Sequence, residues 1–217
     1  MQASGVFHFQ RQKNNPKTAR TMDNIQATAR TIQTLLPRCG ENLDTLAAQC
    51  MQVMIAGGKL FTAGDGRCNV LAMYATSLFN EGWDVLEGKV RLESQCLSAQ
   101  ASTVARYTMT EGYERMYAAR LERIGSPDDL ALFFCLDGTS KNILSVWNST
   151  WHGRPYVITG DFESTLNNDD RLSILQLPAA SISGYIECCM VALHALHRKI
   201  AAGLQRTDMR KTTKERH

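Results

Sequence analysis

Two short glycine-containing turns hold the residue types that could do chemistry in this chain. They are Gly64-Asp65-Gly66-Arg67-Cys68-Asn69 and Leu136-Asp137-Gly138-Thr139-Ser140. Each follows a short apolar run, and each precedes a helical pattern. A strand–turn–helix junction aims backbone N–H groups and the positive end of a helix at one point, which is how a protein cradles an anion such as phosphate. Glycine lets the backbone approach a ligand closely. Against that role stand Asp65 and Asp137, one carboxylate in each turn. Either turn alone is a weak signal. Together, on two strands of one sheet, they point to an anion or sugar-phosphate pocket. The candidate ligand-binding residues are Gly64, Asp65, Gly66, Arg67, Cys68, Asp137, Gly138, Thr139, Ser140 and Asn142.

The elements that must position these turns are legible from periodicity. Residues 23–36 and 43–55 read as two helices, the first ended by Pro37 and the second by Gly57-Gly58. Residues 59–63 read as a buried strand and 70–79 as a helix. A second strand is expected near 85–92. Residues 98–124 hold one or two helices. Residues 130–135 form a strand, 140–151 a helix, 154–160 a strand and 172–177 a strand. Residues 182–200 form a long, mostly apolar helix. Strands alternating with helices imply an α/β three-layer sandwich around a parallel sheet, with the N-terminal helices packed outside it. In such sheets ligands sit beyond the carboxyl ends of the strands, where the strand order reverses.

Bulk composition bounds the class. The chain has 217 residues, 44% hydrophobic and 21% charged, ordinary values for a globular protein and enough for one full α/β core. No apolar stretch approaches the ~18 residues that span a bilayer, and a cytoplasmic location is expected. The seven cysteines are odd in number, lack a C-x-x-C pair and lie in apolar patterns, so they read as reduced core thiols. Net charge is +3, concentrated at the ends: Arg11, Lys13, Lys17 and Arg20 at one, Arg206, Arg210, Lys211, Lys214 and Arg216 at the other. We therefore divide the chain into a basic disordered leader (1–21), a single domain (22–202) and a basic tail (203–217). The middle of the chain is close to neutral, so direct nucleic-acid binding is not expected; a contact through the basic arms is the third-ranked reading.

The stretches AGGKLFTAGDGRCNVLAMYATSLF, DLALFFCLDGTSKNILSVWNSTWHGRPYVITG and ISGYIECCMVALHALHRKI resemble the sugar isomerase (SIS) domain family. Within it they are most similar to the phosphoheptose isomerase group, which includes a non-enzymatic DnaA-associating regulator of replication initiation. The resemblance runs from about residue 25 to 202. It implies a five-stranded, flavodoxin-like parallel sheet and a homotetramer or homodimer. It also implies a sugar-phosphate ligand and a DnaA-like protein partner.

The departures from the group's pattern bear on function. Its first loop reads G-N-G-G-S or G-N-G-T-S; here Asp65, Arg67 and Cys68 intervene. Its second loop reads S-T-S-G-N-S, with hydroxyls for the phosphate; here it is Cys135 to Ser140, and Ser140 survives. The group's isomerases use a His and a Glu after the first loop, and a Gln and a His on the last helix, to hold a metal and move protons. Carried across, these fall on Tyr74, Leu78, Ile186 and His194. Only His194 is retained, with Glu187 one face-repeat before it. No metal and no cofactor is expected. The first reading is a non-catalytic or degenerate SIS-domain protein, a homo-oligomeric scaffold or regulator that binds a carbohydrate derivative. The alternative is an isomerase of the phosphoheptose type acting on sedoheptulose 7-phosphate. His194 and Glu187 are its candidate catalytic residues, and Glu81, Asp84 and Glu93 are further acid–base candidates.

Overall fold

The structure is a computed structural model that describes residues 16–81, 91–161, 173–179 and 181–214. Five parallel strands form its sheet: β1 (Leu60–Gly64), β2 (Ser94–Cys96), β3 (Leu130–Phe134), β4 (Arg154–Thr159) and β5 (Ser173–Gln176). Their order is β2-β1-β3-β4-β5, so the chain turns one way from β1 to β2 and the other way to β3. The reversal point is therefore the gap between the carboxyl ends of β1 and β3. Leu60 pairs with Leu130 and Gly64 with Phe134, which brings the two strands to the same level. Their following turns leave the sheet side by side.

The central strands are apolar throughout because both faces of the sheet are covered. Leu60, Leu130, Leu132 and Phe134 face a core completed by α1 (Pro16–Ala56), α2 (Asn69–Glu81) and α6 (Ile182–Lys214). Phe61, Ala131, Phe133 and Val157 face the opposite core, built by α3 (Ala101–Glu111), α4 (Met116–Ile124) and α5 (Lys141–Leu144). Each fully buried Phe or Leu contributes about 1.5–3 kcal/mol over an exposed one. The expected three-layer α/β architecture and parallel flavodoxin-like sheet are thus present.

Four elements differ from the sequence reading. First, Pro37 does not end a helix: α1 runs unbroken from Pro16 to Ala56 with Pro37 inside it. Pro37 lies on the exposed side of the helix, while Leu35 and Cys39 on the other side are buried and hold the helix to the core. Second, β2 lies at Ser94–Cys96 rather than near 85–92; residues 82–90 lie outside the described residues. Third, the expected 140–151 helix is one turn of α-helix, Lys141–Leu144, followed by a 3-10 turn at Ser145–Asn148. Fourth, α6 continues past Ile200 to Lys214, and α1 starts at Pro16, so both helices cross the boundaries drawn at 22 and 202. Residues 1–15 and 215–217 of the expected arms lie outside the described residues.

Candidate functional site

Beyond the carboxyl ends of β1 and β3 lies a cavity of about 450 Å³. Asp65, Arg67 and Cys68 line it from the first turn, and Cys135, Asp137, Thr139 and Ser140 from the second. The sequence places both turns at one crevice, and the structure brings them together there. Local geometry explains the glycines. A Cβ on Gly64 would stand 2.6 Å from the Cys68 carbonyl oxygen, so the chain could not fold back on itself at that point. Gly138 has φ +70°, a conformation that side-chain-bearing residues rarely adopt.

Asp65 is held by donors from the opposite side of the crevice. Asn142 Nδ2 donates to its Oδ1 at 2.8 Å, and the Tyr117 hydroxyl to the same oxygen at 3.1 Å. The Ser140 hydroxyl lies against Asp65 Oδ2 and also against Asn142 Oδ1. With one proton it serves one of these acceptors at a time. The side chain of Asp65 therefore latches the first turn onto the start of α5. Burial, with the Asp65 charge beside it, drives the Tyr117 phenol well above its ordinary range, so Tyr117 acts as a fixed donor.

Asp137 is satisfied within its own turn. Its Oδ1 accepts from the Thr139 backbone N–H at 3.1 Å and from the Thr139 hydroxyl at 2.8 Å. Desolvation alone would raise its carboxyl. The Thr139 N–H and hydroxyl bonds and further contacts from its own backbone and Cys135 together outweigh that, and hold it below the usual value of 3.8. The carboxylate thus takes donors that a phosphate in this loop would need. The two thiols at the crevice are inert acids: burial pushes Cys68 up to about 11, against a lowering bond from the Leu136 N–H, and burial also raises Cys135.

The remaining wall was not legible in the sequence. Tyr113 and Glu114, from the link between α3 and α4, line the cavity with Lys141, Ile182, Tyr185 and Ile186. Glu114 and Lys141 form an exposed ion pair at 2.8 Å. Lys141 follows Ser140 directly, so it could have been included on position alone; nothing in G-Y-E at 112–114 signals its place.

The candidate catalytic residues lie elsewhere. His194 and Glu187 do not line the cavity. Eight residues separate His194 from Ile186, ~12 Å along the helix. The sequence suggests Glu187 as a partner for His194; instead Glu187 accepts from Thr28 at 2.9 Å, and His194 Nε2 meets the Tyr74 hydroxyl. Burial, then Arg198 and His197, lower the His194 imidazole below its ordinary value. Leu78, one turn after Tyr74, is 1% exposed and belongs to the core. Glu93 pairs with Lys59 at 2.7 Å beside the amino ends of β1 and β2, away from the crevice. Asp84 lies outside the described residues. Among the described residues no group of three or more His, Cys, Asp or Glu side chains is placed to hold a metal ion. Among them too, no helix is long and apolar enough to cross a membrane.

Comparison with known proteins agrees with this geometry. No protein-family model matches the chain. It is 26% identical over 152 residues to phosphoheptose isomerase of Roseiflexus sp. (strain RS-1), covering 64% of this chain and 72% of that protein. It is 26% identical over 108 residues to phosphoheptose isomerase of Akkermansia muciniphila, covering 48% of this chain and about half, 53%, of that protein. In structure it matches a phosphoheptose isomerase from Francisella tularensis with TM-score 0.71 at 23% identity, covering 86% of this chain and 97% of that one. It matches a phosphoheptose isomerase from Neisseria gonorrhoeae with TM-score 0.73 at 17% identity, covering 86% and 99%. Strand order, crevice and structural match define an SIS fold. The chain's sequence is similar to phosphoheptose isomerases but divergent from them.

Proposed function

We propose that this protein handles a phosphorylated sugar in the crevice between β1 and β3, and that its reaction is an aldose–ketose isomerisation of the phosphoheptose type. The observation that carries the reading is the convergence of both glycine turns on a cavity of about 450 Å³ at the strand-order reversal. That volume lies within the range of small-ligand sites, about 300–1,000 Å³. The names of the relatives weigh toward turnover rather than toward binding alone. Moving a proton between C1 and C2 needs a base within about 3 Å of the sugar. Glu114 and Asp137 are the carboxylates of the crevice with exposed side chains, and in this reading they do that work. The test is incubation with sedoheptulose 7-phosphate, with and without zinc, followed by separation of aldose and ketose products. Interconversion at enzymic rates supports the reading, and its absence across protein concentrations while the sugar still binds overturns the catalytic half.

A second reading rests on a specific observation. Leu78 is buried and Ile186 is apolar, at the positions where the resemblance puts a Glu and a Gln. An SIS protein without those groups serves as a homo-oligomeric scaffold or regulator, with a DnaA-like protein as its partner. Val70 and Met73 on α2 and Ile182 on α6 stay 66%, 50% and 40% exposed in the single chain, a surface for a second copy to cover. Sedimentation velocity tests the assembly: a monomer at micromolar concentration removes this reading, and a homotetramer that binds the sugar phosphate without turning it over supports it.

A further inference from the structure

The crevice presents an anion with an uneven set of groups. The second turn, whose N–H groups and hydroxyls would ordinarily receive a phosphate, is occupied by its own side chains. Asp137 takes the Thr139 N–H and hydroxyl. Ser140 turns its hydroxyl to Asp65 and Asn142. Lys141 at the rim is paired with Glu114. Arg67 differs: it lines the same cavity, is exposed, and forms no ion pair or side-chain hydrogen bond with the described residues. It stands at the start of α2, where the positive end of that helix adds to its charge. A guanidinium matches a phosphate with two parallel hydrogen bonds and does not lose its proton.

We infer that Arg67 is the phosphate-anchoring residue of this crevice: the anion subsite has moved from the turn after β3 to the turn after β1, and Arg67 sets the preference for phosphorylated over unphosphorylated sugars. The inference rests on the reading of the crevice as a sugar-phosphate site, and it gives that site a ligand polarity. The phosphate lies at the β1 side against Arg67. The sugar hydroxyls lie toward Asp137 and Glu114, which accept hydrogen bonds from them.

The experiment compares wild type, Arg67→Gln and Arg67→Lys by calorimetry with three probes: sedoheptulose 7-phosphate, sedoheptulose and inorganic phosphate. Arg67 is exposed, so Gln and Lys leave the fold intact, and thermal melting checks this. The expected result is phosphate-dependent binding in wild type and a loss of at least tenfold in Arg67→Gln, about 1.4 kcal/mol, for both phosphate-bearing probes. Arg67→Lys recovers part of the loss, since a point charge replaces the fork. Wild-type binding that survives Arg67→Gln unchanged overturns the inference and leaves the sugar-phosphate reading standing. Equal affinity for the sugar with and without its phosphate overturns both. Failure of wild type to bind any of the three probes also overturns both.

Discussion

Neutralising Asp137 should strengthen phosphosugar binding by an amount that depends on pH in a particular way. Asp137→Asn is the cleanest perturbation, because Oδ1 remains to accept from the Thr139 N–H and hydroxyl, as it does at 3.1 and 2.8 Å in the native turn. Only the charge is removed. With the phosphate at Arg67, across the crevice from Asp137, the two charges stand on the order of 8 Å apart and repel by about 0.5 kcal/mol per unit pair in water. Asp137 is exposed, so the water value applies. A dianionic phosphate ester doubles it to about 1 kcal/mol, roughly fivefold in Kd. The ester's second proton binds near pH 6, so at pH 5 the phosphate carries one charge and the gain falls to about twofold. Asp137 itself does not blur this comparison. Its carboxyl lies below the ordinary 3.8 and stays ionised over the whole window. The assay is calorimetric titration with sedoheptulose 7-phosphate at pH 8 and pH 5 for both proteins. A gain below threefold at pH 8, or an equal gain at both pH values, would refute the electrostatic argument.

Three further outcomes follow from the same structure. Asp129 is 2% exposed and accepts from the Lys59 N–H at 2.7 Å and the Ser126 N–H at 2.6 Å. Asp129→Ala strands both donors, at about 1–3 kcal/mol each, and should lower Tm by roughly 5–20 °C in a melting scan. Leu78→Glu, which restores a carboxylate where the resemblance expects one, buries a charge in the core. It should cost at least about 3 kcal/mol in denaturant unfolding, and retention of wild-type stability would show that α2 can rotate that side chain out. His194 should titrate below the ordinary 6.5 by NMR, and Arg198→Gln should move it upward, since Arg198 is one of its depressing charges after burial. The unfolded chain takes that proton more readily than the folded one. Stability therefore falls as pH drops through the ordinary value toward the folded-state value, and levels off below it.

The parts of the fold that could be read in advance were those set by local pattern. The runs Leu60–Gly64 and Leu130–Phe134 are apolar because both sheet faces are covered, and that composition marks them as central strands without any structure. The glycine turns follow directly, and with them the crevice. What resisted reading depends on partners distant in sequence. Ser94–Cys96 is a three-residue edge strand of modest β-propensity, recognisable only by its pairing with Leu60–Thr62. Pro37 breaks helices in general, yet here its exposed face tolerates the missing bond. The chemistry of the site divides in the same way. Asp65 and Asp137 could be placed in the turns, but the donors to Asp65 could not: Tyr117 and Asn142 reach it across 52 and 77 residues, whereas Asp137 takes its donors from Thr139 in its own turn. Without them Asp65 looks like an open repulsive charge. With them it is a structural acceptor, and Arg67 is a cation of the crevice with no ion pair among the described residues.

A structure of the protein soaked with sedoheptulose 7-phosphate tests the central claim most directly. The account predicts density in the crevice with the phosphate in contact with the Arg67 guanidinium and the sugar chain running toward Asp137 and Glu114. A phosphate seated among residues 137–140, or a crevice left empty while the sugar binds elsewhere, would contradict it.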